Sequence, residues 1–168
     1  FTELTKLAPQ EAAGYANLGW SYLQSPGKLD SAEIMLLRAT ELSPENSDIQ
    51  YLIAKMYELT GRTNKSREVL VDLLSTNSKH ILSLYQLSEY NKRSSDNNDK
   101  KEAQKLLKNI LQIIPGNIAA HLKFIELSIK NGDTEDALLS IQSVNQILPS
   151  LPDEAIPLSN NAVQHLRN

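Results

Sequence analysis

Apolar residues recur at helical spacing in short segments along this chain. Turns separate these segments. In the first unit, aromatic, leucine and small residues recur three or four positions apart, which places them on one face of an α-helix. Glycine- and asparagine-containing stretches interrupt these patterns at regular distances. Reading the periodicity together with helix caps and breakers predicts eight helices, at 10–24, 29–42, 47–60, 63–75, 79–93, 100–113, 117–130 and 134–147.

Prolines mark a repeat of nearly constant length. Pro9, Pro44, Pro115 and Pro149 fall into one series, in which Ser78 stands at the place expected for a further proline. The successive intervals are 35, 34, 37 and 34 residues. A period in this range is typical of helix–turn–helix units copied end to end. The chain is therefore predicted to be an array of helix pairs.

The first unit carries the most complete pattern of packing residues. In order, these are Tyr15, Leu18, Gly19, Tyr22, Ala32, Leu36, Ala39 and Pro44. The sequence resembles the tetratricopeptide repeat family, whose motif has this order of aromatic, Leu-Gly, Tyr, Ala, large apolar residue and Pro. The resemblance implies an all-α fold, a right-handed α-solenoid of antiparallel helix pairs. In such pairs, small residues let the backbones approach and large apolar side chains fill the gaps.

The resemblance divides the chain into about four repeats with flanking segments. These are 1–9 as the end of a preceding repeat helix, 10–44 as repeat 1, 45–78 as repeat 2, 79–115 as repeat 3 with a loop insertion at 94–99, 116–149 as repeat 4, and 150–168 as a C-terminal capping helix. We expect Ser47 to be an N-cap and Gly61 and Gly132 to adopt left-handed conformations at helix ends. Repeat 4 departs from the family pattern, because His121 and Ser128 stand where large apolar or aromatic residues are preferred.

Composition and charge favour a binding protein over an enzyme. The chain has no cysteine, and His80, His121 and His165 lie in separate segments without convergent carboxylates, so no metal or cofactor site is expected. Catalytic and phosphate-binding motifs are lacking as well. The net charge of −3 does not favour nucleic acid as a partner. Apolar runs are too short for a membrane span.

The family resemblance also implies a binding surface. The first helix of each pair lines a concave groove in this family, and its inward positions map by resemblance onto eight candidate residues. These are Trp20, Tyr51, Lys55, Tyr85, Glu89, Lys92, Leu122 and Glu126. Exposed aromatic side chains beside mixed charges suit peptide binding. The alternative for each aromatic ring is packing against a neighbouring helix.

The resulting hypothesis is a non-enzymatic scaffold that binds a protein, a peptide or an adjoining domain of its own longer chain. Binding of chaperone C-terminal tails is not expected, because Ala16, Trp20 and Leu82 occupy positions where the family's carboxylate clamp has polar residues. The alternative is a structural spacer or oligomerisation module that stacks on its apolar N-terminal end, at Phe1, Leu4 and Leu7.

Overall fold

The computed structural model describes residues 10–147, and within that range all regular structure is helical. Eight helices lie there: α1 Ala12–Leu23, α2 Leu29–Leu42, α3 Ser47–Leu59, α4 Thr63–Thr76, α5 Ile81–Lys92, α6 Asn97–Ile113, α7 Ile118–Asn131 and α8 Thr134–Ile147. The predicted preceding helix at 1–9, its residues Phe1, Leu4 and Leu7, and the predicted capping helix at 150–168 with His165 lie outside the described residues.

The chain divides into two compact units, residues 1–83 and 84–168, with the division inside α5. Within unit 1, α1 packs on α2 and α3 packs on α4; within unit 2, α7 packs on both α6 and α8. Because short turns join the helices that pack, successive partners run in opposite directions. This is the all-helical paired architecture that the sequence predicts.

Unit 1 is built around the close approach of its helices. Gly19 on α1 lies directly against the buried Leu36 on α2. Its main core cluster is formed by Leu23, Ala32, Leu36, Ile53 and Met56, with Tyr22, Leu29, Leu52, Tyr57 and Val69 packed around it. Small residues at helix crossings and large residues between them provide dense packing.

Unit 2 combines an apolar core with buried polar side chains. Ile125, Ala137 and Val144 form its apolar cluster, next to Ile141. His121 and Ser128, the departures from the family pattern, are both buried. Hydrogen bonds to Gln104 and Ser140 compensate for the loss of apolar contact at these two positions.

The N-caps of α3 and α6 differ from the sequence prediction. The sequence predicts Ser47 as an N-cap, but Asn46 takes this role, since its Oδ1 accepts from the amides of Asp48 at 3.0 Å and Ile49 at 3.2 Å. The sequence also predicts a loop over 94–99, whereas α6 already begins at Asn97.

The cap of α6 is Asp96, whose Oδ1 accepts from the amide of Asn98 at 2.8 Å. Its carboxylate satisfies a free amide of the first turn and thereby starts the helix early. The predicted left-handed glycines are confirmed, with φ of 75° at Gly61 and 82° at Gly132. Glycine adopts this conformation without the steric cost of a β-carbon.

Candidate functional site

In unit 1, the candidate residues lie on the first helices of its pairs, α1 and α3. Trp20 on α1 remains 43% exposed. Ala16, one helical turn earlier, is buried in a second core cluster with Ala39 and Ile49. Trp20 presents its ring to solvent, while Leu18, on the opposite side of the helix, is buried in the core.

Tyr51 on α3 is half-buried and contacts the residue that precedes α5. Its ring centroid lies 5.6 Å from that of His80, with an interplanar angle of 50°. Burial raises the pKa of the Tyr51 hydroxyl; nearby Lys55 lowers it and Glu58 raises it. The phenol therefore stays neutral at physiological pH and can donate a hydrogen bond.

His80 links α3 to the start of α5 within unit 1. Its Nδ1 accepts from the amide of Ser83 at 3.3 Å, and Nε2 lies 3.2 Å from Oδ1 of Asp48. Because a backbone amide can only donate, the neutral ring carries its proton on Nε2, facing the Asp48 carboxylate. The ring of Tyr51, a predicted groove residue, thus lies against an imidazole that hydrogen bonds hold in place.

Lys55 on α3 forms an ion pair with Glu58, three residues later on the same helix. Each side chain is one-quarter exposed. Charges in this arrangement neutralise one another along one helix face and remain within reach of solvent.

In unit 2, Tyr85 on α5 is fixed by the cap of α7. Its hydroxyl donates to Oδ1 of Asn117 at 2.9 Å, and the same oxygen accepts from the amide of Ala120 at 3.0 Å. Burial raises the pKa of Tyr85, and the hydrogen bond to Asn117 offsets part of this rise. The side chain of Tyr85 is thus held in place by partial burial and by its hydrogen bond to Asn117.

Ion pairs join the neighbouring faces of α5 and α7. Lys92 Nζ lies 2.7 Å from Oε2 of Glu126, and Lys130 Nζ lies 2.7 Å from Oε1 of the same carboxylate. Lys123 forms a further pair with Glu89. Burial raises the pKa of Glu126, but its hydrogen bonds from Lys130 and Lys92 outweigh that effect, so the pKa lies below its usual value.

Of the predicted residues, the structure pairs Lys92 with Glu126, whereas Glu89 pairs with Lys123. Leu122 is half-buried on the same helix as Glu126. Lys123, the partner of Glu89, is not among the predicted residues. A signal was present, because both cross-helix pairs join opposite charges 34 residues apart, one repeat length along the chain.

Three further features of the described residues concern metal binding, membrane crossing and a buried histidine. Within 10–147, no group of three or more His, Asp or Glu side chains is placed to hold a metal ion. In the same range, every helix is too short or too polar to cross a bilayer. The buried histidine of unit 2, His121, is held by Ser140 at 2.6 Å and by the carbonyl of Pro115 at 2.9 Å.

The paired helices and their packing residues define a helical repeat protein, and comparisons with known proteins agree. Two family models described as tetratricopeptide repeat match the chain, one over residues 12–46 and one over residues 96–156. The chain belongs to the tetratricopeptide repeat family. Proteins of this family generally serve as protein-interaction scaffolds without enzymatic activity, and their partners are proteins.

Two solved structures share the fold at low sequence identity. A structure described as the crystal structure of MamA has a TM-score of 0.70 and 15% identity, and the match covers 89% of this chain and 85% of that one. A second MamA structure has a TM-score of 0.64 and 15% identity, covering 84% and 75%. A third, described as functional characterization of Pseudomonas aeruginosa pilF, has a TM-score of 0.43 and 18% identity, covering 81% and 76%. No curated protein sequence matches the chain.

Proposed function

We propose that this chain is a non-enzymatic scaffold that holds a partner peptide, helix or adjoining domain on the exposed faces of its first helices. These helices are α1 and α3 in unit 1 and α5 and α7 in unit 2. The observation that carries the proposal is the exposure of Trp20, which is 43% accessible on a helix otherwise anchored in the core. A tryptophan gives a large contact area at a small cost in rotamer entropy.

The charged part of the proposed surface favours a protein over a nucleic acid. Lys55, Lys92 and Lys123 are each paired with a glutamate. A nucleic-acid interface needs an excess of unpaired positive charge along one face. A polypeptide of mixed charge can instead exchange partners with these pairs while its apolar side chains cover Trp20 in unit 1 or Leu122 in unit 2. The proposed contact residues are Trp20, Tyr51, Lys55, Tyr85, Glu89, Lys92, Leu122 and Glu126.

Photo-crosslinking followed by binding measurements tests this proposal. A photoreactive amino acid is placed at Trp20 in one sample and at Leu122 in another, and the crosslinked partner is identified, purified and titrated against the unmodified chain. Trp20→Ala and Leu122→Ala are expected to weaken binding at least tenfold each, as central contact residues do. Tyr85→Ala is less suitable, because it also removes the bond to Asn117.

Val71→Ala is the matched control, since Val71 is an exposed apolar residue on α4, a second helix of its pair. This variant is expected to bind the partner like the parent chain. Equal affinity of all three variants contradicts the proposal. A chain that binds no partner but forms a defined oligomer in light scattering supports the alternative, a spacer or oligomerisation module.

A further inference from the structure

The turn between α7 and α8 contains the one Asn-Gly pair of the sequence, Asn131-Gly132. Asn131 is the last residue of α7, and Gly132 follows in a left-handed conformation with φ of 82°. In such a pair the backbone nitrogen of glycine can attack the side-chain amide carbon of asparagine, because glycine has no β-carbon to shield that nitrogen. Asn131 is therefore the asparagine of this chain whose sequence context best suits deamidation.

The folded structure holds both reacting groups. Asn131 is half-buried, and its Nδ2 donates to Oε1 of the buried Gln104 on α6 at 2.9 Å. The amide of Gly132 donates to the carbonyl of Ile129 at 3.2 Å. An amide proton in such a hydrogen bond is released only when the local structure opens. Reaction at Asn131 therefore requires opening of the structure around the end of α7.

The bond to Gln104 is part of a hydrogen-bond network that joins α6 to α7. Gln104 Nε2 donates to Oγ of Ser128, which is fully buried on α7, at 3.0 Å. Ser128 and Asn131 lie three residues apart, on one face of the helix, and both contact the same side chain of α6. Release of Asn131 thus means that this part of the α6–α7 contact opens, at a free-energy cost that the whole network sets.

Asn117 offers a comparison within unit 2. Its Oδ1 accepts from the hydroxyl of Tyr85 at 2.9 Å and from the amide of Ala120 at 3.0 Å, so this side chain is also held. The residue that follows is Ile118, whose branched β-carbon hinders its own backbone nitrogen. Asn117 is therefore expected to stay unmodified under conditions in which Asn131 reacts.

We propose that Asn131 is a deamidation site that is controlled by its hydrogen bond to Gln104. When the contact opens, the amide of Gly132 gives up its proton to water or hydroxide and its nitrogen bonds to Cγ of Asn131. The C–N bond of the side-chain amide breaks, and ammonia leaves. Water then adds to one of the two carbonyl carbons of the resulting succinimide ring and breaks the bond of that carbon to the ring nitrogen. The product at position 131 is aspartate or isoaspartate.

The modification prevents the α6–α7 contact from closing as before. Both products lack Nδ2, so the donor to Gln104 Oε1 is lost, and a carboxylate offers only acceptors in its place. Isoaspartate also adds one atom to the main chain at the end of α7. Deamidation of Asn131 therefore makes a one-way change in the stability of unit 2.

Deamidation rates in the full chain test this proposal. The parent, Gln104→Leu and Ser140→Ala are incubated at mildly alkaline pH, and peptide mass spectrometry quantifies deamidation at Asn131. Gln104→Leu removes the bond to Asn131, whereas Ser140→Ala is the matched control, because it removes a hydrogen bond to His121 elsewhere in unit 2. We expect Asn131 to react at least about fivefold faster in Gln104→Leu than in the parent, with a smaller effect in Ser140→Ala.

The parent chain unfolded in guanidinium chloride gives the rate without protection by the fold. Asn131 is expected to react at least about tenfold faster there than in the folded parent, and faster than Asn117 in the same sample. Circular dichroism checks that each variant remains folded under the incubation conditions. Equal rates at Asn131 in the folded and unfolded parent overturn the protection, and equal acceleration by Gln104→Leu and Ser140→Ala overturns the control by Gln104.

The effect on stability is tested with Asn131→Asp, which carries the side chain of one product. Its urea midpoint, followed by circular dichroism, is expected to lie below that of Asn145→Asp, which adds the same charge at an exposed position of α8. Equal midpoints for the two variants overturn the one-way change in stability.

Discussion

At the scale of single residues, Gly19 shows most directly how the repeat motif becomes structure. A β-carbon built at Gly19 would lie 2.6 Å from Cγ and 2.7 Å from Cδ2 of Leu36. These distances are far inside van der Waals contact, and Leu36 is fully buried. The Leu-Gly pair of the motif is therefore required by the crossing of α1 and α2.

Gly19→Ala is predicted to destabilise the protein. Overpacking costs about 1–3 kcal/mol, and the better helix propensity of alanine returns up to about 1 kcal/mol, so a net loss of about 1 kcal/mol is expected. Urea unfolding measures it. Gly116→Ala is the control, because no atom lies within 4 Å of a β-carbon there. A Gly19→Ala variant as stable as the parent would show that Leu36 can move aside.

The ion pair of Glu33 with Arg62 predicts a pH dependence of stability. Arg62 Nη1 and Nη2 each donate to a different oxygen of the Glu33 carboxylate, both at 2.9 Å. The hydrogen bond from Arg62 holds the pKa of Glu33 below its ordinary value of 4.5, against a smaller opposing effect of burial. A carboxyl whose pKa is lowered on folding adds stability above the unfolded pKa, and this is lost as the pH falls through the folded value.

Glu33→Gln is therefore expected to lower the free energy of unfolding at pH 7 and to leave it unchanged well below pH 4. About a third of each side chain is exposed, so solvent screens the pair and the difference at pH 7 is modest. Urea unfolding at several pH values measures it, with exposed Glu45→Gln as control. A variant whose pH profile parallels that of the parent rules this contribution out.

At the scale of helices, the contact between α6 and α7 depends on buried polar groups. Gln104 Nε2 donates to Ser128 Oγ at 3.0 Å, and Asn131 Nδ2 donates to Gln104 Oε1 at 2.9 Å. Within 10–147, every buried side-chain nitrogen and oxygen has a hydrogen-bond partner. This network replaces the aromatic packing that the family pattern has at the position of Ser128.

Ser128→Ala is predicted to cost about 1–3 kcal/mol, because it leaves the buried Gln104 amide without an acceptor. Adding Gln104→Leu removes that unpaired donor, so the double variant is expected to be more stable than Ser128→Ala alone. Urea unfolding of both single variants and the double variant gives the coupling energy. Additive effects of the two substitutions contradict the network as described.

The helices themselves and the glycines at two of their ends could be predicted from the sequence, while two N-caps and the contacts between helices could not. Helix boundaries at 29–42 and 134–147 match the prediction, because periodicity and breakers are local signals. Asn46 was not predicted as a cap, because the neighbouring Ser47 is also suited to that position. Asp96 was not predicted as a cap, because the polar composition of 94–99 also suits a turn. The bond of Tyr85 to Asn117 depends on which helices become neighbours, and that information is not contained in a single helix pattern.

At the scale of the whole molecule, the chain consists of units that each have a core. The cluster around Leu36 and Met56 belongs to unit 1, and the cluster around Ile125 and Val144 belongs to unit 2. In repeat proteins, stability is approximately a sum of repeat terms and nearest-neighbour terms. A substitution in one unit should therefore act mainly on that unit.

The single tryptophan of the chain makes this expectation measurable. Trp20 belongs to unit 1, so its emission follows the unfolding of that unit, whereas far-UV circular dichroism follows all helices. Ser128→Ala lies in unit 2 and is predicted to lower the urea midpoint seen by circular dichroism while shifting the Trp20 midpoint less. Gly19→Ala, in unit 1, is predicted to shift the Trp20 midpoint more. Coincident transitions in both variants would indicate one cooperative block, in which the nearest-neighbour terms dominate over the separate cores.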